Sequence, residues 1–244
     1  MVLSLPEQEK PTMVRQRANS TGEEPKSILC TGGLGFIGSH TVVQLHKAGF
    51  RVAILDNCLN SNPEVLNRLA TILDIEDITT EIPFHRVDLM DKDTLDDLFA
   101  QHKFDQVVHF AGLKSVGESV STPLFYYSNN LTGTLNLLEA MSKHNCKQLV
   151  FSSSATVFKP FDGPVHEECP LGASNPYGHT KLMTEQFLRD LANSDAEWRI
   201  SMLRYFNPVG AHESGLIGEN PLGPPNNLMP YIQQVGVSRR ESLT

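Results

Sequence analysis

The sequence predicts an α/β fold built on a doubly wound parallel sheet. Three observations predict it. Short apolar runs alternate with longer segments of helical period. The first run ends in a cluster of glycines. Several later runs end in an acid or a glycine, where loops at the carboxyl edge of such a sheet meet ligands.

The elements follow in order. Residues 27–30 form a strand and 37–47 a helix. Residues 51–55 form a second strand ending at Asp56, and 63–73 a second helix. Residues 84–87 form a third strand ending at Asp88. The segment 91–102 is a helix capped by Asp91, with Leu95, Leu98 and Phe99 at helical spacing. Residues 106–110 form a fourth strand. The segment 123–144 reads as one long helix with Leu131, Leu135 and Leu138 on one face. Residues 148–151 form a fifth strand. In the helix 177–193, Met183, Phe187 and Leu191 recur at four-residue intervals. Residues 199–203 form a sixth strand. The character changes after Arg204: residues 207–227 are rich in Gly, Pro and Asn, and a short helix over 227–239 follows.

Composition bounds the function. The chain has 244 residues, 40% of them apolar, enough for a sizeable core. Its net charge of −8 argues against a general binder of nucleic acid or anionic membrane. No apolar run approaches a bilayer-spanning length. Residues 1–26 mix acids and bases without an apolar core and read as a disordered tail, not a signal peptide. Cys30, Cys58, Cys146 and Cys169 lack metal-ligand spacing, so no metal is expected; buried thiols in a reduced, cytoplasmic setting are. His109, inside an apolar run, reads as a hydrogen-bonded core histidine.

Gly32, Gly35 and Gly38 have the spacing G-x-x-G-x-x-G between a strand and a helix. Gly32 suits a tight turn, Gly35 a close backbone approach to a pyrophosphate, and Gly38 close helix–strand packing. The pyrophosphate would sit on the free N–H groups of the helix start. Asp56 lies 18 residues beyond Gly38, where an acid reads the ribose hydroxyls of NAD and repels the 2′-phosphate of NADP. Asp88 is either an adenine-side residue or a loop cap.

Tyr177 and Lys181 lie four apart on one predicted helix and share a face. A phenol is a poor base near neutrality, and an adjacent ammonium favours its phenolate. Ser154, beyond the fifth strand, can hydrogen-bond the same substrate oxygen. Together these residues can exchange a proton with a hydroxyl while hydride moves to or from a nicotinamide.

This combination resembles the extended short-chain dehydrogenase/reductases and, within them, the UDP-glucose 4-epimerase family. The resemblance rests on residues 31–41 (TGGLGFIGSHT), 109–119 (HFAGLKSVGES), 151–157 (FSSSATV), 175–178 (NPYG), 203–212 (LRYFNPVGAH) and 225–231 (PNNLMPY). It implies a Rossmann-like NAD-binding domain over 27–204 and a partial UDP-sugar-binding domain over 205–244. It implies NAD contacts at Phe36, Ile37, Asp56, Asn57, Asp88, Leu89, Phe110, Ala111, Gly112, Lys114, Asn129 and Phe206. Tyr177 would be the base, Lys181 its electrostatic partner and Ser154 its helper. Asn207, Asn227 and Leu228 would touch the UDP-sugar. The implied reaction interconverts UDP-galactose and UDP-glucose through oxidation at C4, turning of the 4-keto sugar, and reduction from its other face. Ala155 and Thr156 stand where related dehydratases carry an acidic pair, which disfavours dehydration. A homodimer through the helices 91–102 and 123–144 is implied by analogy.

Three departures accompany the resemblance. Phe36 replaces a common Tyr and keeps the ring. Phe158-Lys159 replaces the family's usual Tyr-Gly, and family members are expected to continue past the point matching Thr244. Two other readings follow: an NAD-binding module with little turnover, and a sugar-nucleotide reductase that releases NADH.

Overall fold

The computed structural model describes residues 24–221, 225 and 227–243; most of the expected tail, residues 1–23, lies outside them. Six parallel strands form one sheet: β1 Ser27–Thr31, β2 Arg51–Leu55, β3 Phe84–His85, β4 Gln106–His109, β5 Gln148–Ser154 and β6 Arg199–Tyr205. Their spatial order is β3-β2-β1-β4-β5-β6. The order reverses beside β1, which leaves a crevice at the carboxyl ends of β1 and β4.

The helices are α1 Phe36–Lys47, α2 Glu64–Leu73, α3 Ile78–Glu81, α4 Lys92–Gln101, α5 Val116–Ser121, α6 Pro123–Tyr127, α7 Gly133–Lys143, α8 Pro176–Ser194 and α9 Leu228–Gly236. Alternate strand residues feed two cores. Leu29, Leu55, Val107, Leu149 and Phe151 pack with Leu95, Phe99, Leu137, Met141 and Leu188. Ile28, Cys30, Ile54 and Val108 pack with Val42, Val43, Leu69 and Ile82. Burial on both faces explains why these strands read as continuous apolar runs. Asp91 caps α4 as expected, accepting a bond from the Thr94 amide.

Several sequence expectations change. The third strand ends at His85 and the last helix at Gly236, both short of the expected bounds. The helix over 123–144 is interrupted by a π-turn at Ser128–Thr132. The wider turn shifts the phase, so the buried positions of α7 include Thr134, Leu137, Leu138 and Met141, while Leu135 is exposed. In α8 the buried face is not the Met183-Phe187-Leu191 stripe. It is Tyr177, Thr180, Lys181, Thr184, Glu185 and Leu188, with Met183 exposed. Strands β5 and β6 also run further than their apolar cores, to Ser154 and Tyr205, because backbone pairing continues through the serines and Arg204.

Among the described residues no helix is long and apolar enough to cross a membrane. All four cysteines are free; Cys30, Cys146 and Cys169 are buried, whereas Cys58 is half-exposed.

Candidate active site

The glycine turn links β1 to α1. Gly32 has φ +67°, and a Cβ there would stand 2.7 Å from the Ala111 amide nitrogen. A Cβ on Gly38 would collide with the Gly32 carbonyl oxygen. At Gly35 only the Gly32 carbonyl comes near, 3.2 Å from a Cβ. Gly35 is the N-cap of α1 and offers no side-chain cap, and the first turn has no acid. The leading N–H groups, those of Phe36 and Ile37 included, therefore suit an external anion. This cradle and uncapped helix start fit a dinucleotide pyrophosphate.

Asp56 is buried behind the turn. One carboxylate oxygen accepts from the Leu34 amide at 3.1 Å. The other accepts from the Cys58 amide at 2.9 Å and the Ser61 hydroxyl at 2.8 Å. A carboxylate has about four acceptor directions, so about one remains for a ribose hydroxyl. The expectation that Asp56 receives both hydroxyls narrows accordingly, because the side chain also braces the glycine turn.

Asn57 donates to Asp88 at 3.0 Å, and Asp88 also accepts from the Met90 amide at 2.9 Å. Leu89 is buried in the core, packed near Gly133. Past β4, Phe110, Ala111 and Gly112 are half-buried, and Gly112 has φ +155°. Lys114 pairs with Glu219 at 3.0 Å, and the same carboxylate oxygen accepts from Asn227 at 2.9 Å. Asn129 donates to Asn130 at 2.9 Å. Phe206, Asn207 and Leu228 are exposed.

Sequence reasoning missed Asn130. The π-turn aims it inward, where it accepts from the Leu113 amide at 2.8 Å and donates to the Leu113 carbonyl at 2.9 Å and to Thr180 at 3.1 Å. It joins the loop after β4 to α8. Only the neighbouring Asn129 carried a signal in the sequence.

His109 is fully buried and partnered on both ring nitrogens, with Thr31 at 2.7 Å and Thr134 at 3.0 Å. The Thr134 hydroxyl donates to the Asn130 carbonyl at 2.6 Å, so it accepts from the imidazole. Burial, reinforced by the Lys181 charge, pushes the His109 pKa down to about 3. This is the core histidine that the apolar run suggested.

Ser154, Tyr177 and Lys181 converge at the end of β5. Tyr177 packs with Leu113 and Tyr126, and Ser154 stands close enough to its phenol to favour the phenolate. Ser154 Oγ also accepts from the Thr156 amide at 3.2 Å and the Thr156 hydroxyl at 3.0 Å. Thr156 thus aims Ser154, a role not read from the sequence. Lys181 donates to the Ser152 carbonyl at 2.7 Å. Burial lowers the Lys181 pKa to about 8. Burial raises that of Tyr177, opposed by the neighbouring Ser154 hydroxyl. Lys181 is not among the groups that shift it, so the expected lowering by the ammonium does not appear and desolvation dominates.

The doubly wound sheet, glycine turn and serine–tyrosine–lysine group define a protein of the dinucleotide-binding α/β class. The model of the NAD dependent epimerase/dehydratase family matches residues 28–235. The chain belongs to that family.

It is 56% identical over 220 residues to UDP-glucose 4-epimerase 2 of Oryza sativa subsp. japonica, covering 90% of this chain and 53% of the relative. It is 55% identical over 220 residues to the UDP-glucose 4-epimerase of Bacillus subtilis, covering 89% and 63%. The Bifidobacterium longum UDP-glucose 4-epimerase, solved with NAD+ and UDP, superposes with a TM-score of 0.84 at 47% identity, covering 89% of this chain and 64% of that one. The chain thus spans between about half and two thirds of the length of these relatives.

Proposed function

We propose that this chain carries the cofactor-holding and proton-transferring part of an NAD-dependent UDP-galactose/UDP-glucose 4-epimerase. The observation that carries this reading is the convergence of Ser154, Tyr177 and Lys181 at the sheet edge served by the glycine turn. The relatives' names and the NAD+/UDP complex support it.

The turn at Gly32, Gly35 and Gly38, with the N–H groups of Phe36 and Ile37, would hold the pyrophosphate. Asp56 would take an adenosine-ribose hydroxyl and repel a 2′-phosphate. Asn57, Asp88 and Leu89 would flank the adenine half. Phe110, Ala111, Gly112, Lys114, Asn129 and Phe206 would border the rest of the cofactor, with Lys181 on the nicotinamide ribose. NAD, when bound, supplies a positively charged ring and the acceptance and return of hydride at the sugar's C4.

Tyr177 holds the proton exchanged with the sugar 4-hydroxyl, and Ser154 binds the same oxygen. The Lys181 ammonium, held on the Ser152 carbonyl, would join the positive nicotinamide ring in favouring the phenolate against the burial that opposes it. Leu113 and Tyr126 exclude water from one side of the ring. Asn207, Asn227 and Leu228 would hold the UDP-sugar. The segments 91–102 and 123–144, which hold α4 and the run from α6 to α7, are the proposed homodimer surface.

The test measures conversion of UDP-galactose to UDP-glucose by the purified chain with NAD, together with NAD retained through gel filtration. Conversion with retained cofactor supports the reading. Release of NADH in step with sugar oxidation makes the chain a reductase instead, and absence of both NAD binding and conversion overturns the proposal.

A further inference from the structure

Helix α8 meets the serines of β5 turn by turn. Tyr177 meets Ser154, Lys181 meets the Ser152 carbonyl, and Glu185, four residues beyond Lys181, meets Ser153. Glu185 is completely buried and carries four hydrogen bonds. One oxygen accepts from Ser153 Oγ at 2.6 Å and Arg204 Nε at 2.9 Å. The other accepts from Arg204 Nη2 at 2.7 Å and Arg189 Nη2 at 3.1 Å.

Arg204 binds this carboxylate through both arms of its fork. Ser153 and Arg204 are register partners on β5 and β6, so the sheet presents both donors side by side. The outward side of Arg204 is also held. Its Nη1 donates to the Glu167 carbonyl at 2.9 Å, and its guanidinium lies 4.8 Å from the centre of the Phe158 ring. Phe158, one of the departures from the family pattern, thus backs Arg204.

A single ion pair could serve stability alone. Three features point further. Glu185 occupies the same helix face as Tyr177 and Lys181, one turn beyond the lysine. Its partner Ser153 follows Ser152, whose carbonyl anchors Lys181, on β5, and Arg204 stands opposite Ser153 on the neighbouring strand β6. A bidentate fork fixes direction as well as distance, which a lysine cannot do.

We propose that Glu185 and Arg204 are a positioning pair that fixes α8 against β5 and so sets where the Lys181 ammonium and the Tyr177 phenol stand. This deepens the reading above, on which the roles of Tyr177 and Lys181 rest.

The first measurement needs neither cofactor nor sugar, so it stands apart from the enzymatic reading. Lys181 is buried on the Ser152 carbonyl and is shielded from amine acylation, whereas Lys103 is exposed and serves as internal reference. Acylation rates are read by mass spectrometry in the parent chain, Glu185→Gln and Arg204→Lys, well below each unfolding midpoint. The expected result is a Lys181 rate raised roughly tenfold relative to Lys103 in both variants, through local release of the helix. Arg204→Lys keeps the charge and so separates loss of the fork from loss of folding. In a preparation with turnover, the same variants lower kcat by about 10- to 100-fold, with KM changed by less than about threefold. If Glu185→Gln does not fold, Arg204→Lys carries the test alone. Lys181 shielded as in the parent in a folded variant, or kcat unchanged, overturns the proposal and leaves the pair a stability element only.

Discussion

The Lys181 ammonium stands 6.0 Å from the centre of the Tyr177 ring and donates its hydrogen bond to the Ser152 carbonyl. Any influence of the lysine on the phenol therefore acts through space. On the proposed reading Lys181 supplies a positive charge near the phenol, and Ser154 stands beside the phenol oxygen.

Tyr177→Phe is expected to remove the transferable proton and keep the ring that packs with Leu113 and Tyr126. Turnover falls by at least about 10²-fold, while NAD affinity stays close to that of the parent. Steady-state conversion of UDP-galactose and cofactor titration check this, and retained turnover removes Tyr177 from the role of base.

Gly38→Ala is expected to cripple both fold and cofactor binding. Its Cβ would meet the backbone carbonyl of Gly32, which no rotamer change relieves. A loss of more than about 3 kcal/mol is expected, from overpacking against rigid backbone. Urea unfolding measures it, and a loss within about 0.5 kcal/mol would show that the turn shifts easily.

Lys181→Met reports the cost of burying an ammonium. The folded pKa is about 8, below the ordinary lysine value of 10.5. Between those values the unfolded chain binds more protons, so this group's contribution to stability rises with pH from about 8 to about 10.5. The parent should gain on the variant across that window, by at most about 1.4 kcal/mol per pH unit. Parallel denaturation series from pH 7 to 10.5 test it, with a constant difference as the contrary result.

His109 is expected to stay neutral through physiological pH, with the proton on the nitrogen facing Thr134. Its folded pKa of about 3 lies below the ordinary 6.5. The unfolded chain takes up the proton first, so this contribution to stability declines as pH falls from about 6.5 towards 3. Nitrogen chemical shifts of the imidazole between pH 5 and 8 should be flat. A titration with a midpoint near 6.5 would mean that the ring is not sealed in.

Legibility differed by element. The glycine turn, Asp56 and the capped start of α4 could be read because local backbone conformation demands those residue types at those positions. The four-residue step from Tyr177 to Lys181 gave a shared face for the same reason. The buried face of α8 could not be read, since its stripe of Tyr, Lys and Glu looks solvated until Ser152, Ser153 and Arg204 are brought beneath it. The π-turn at Ser128–Thr132 was equally hidden, and with it the inward aim of Asn130.

By itself the sequence determined the alternation of strands and helices, the dinucleotide turn and the identity of the serine–tyrosine–lysine group. These depend on periodicity and on residues near one another in the chain. Only the tertiary structure decided which donors fill Asp56, which charge meets Glu185 and what anchors Lys181. Arg204 follows Glu185 by 19 residues, and Ser153 precedes it by 32. Such partners meet only after β5 and β6 pair in register and α8 folds back across them. The low dielectric of that buried seam is what makes each charge require its partner.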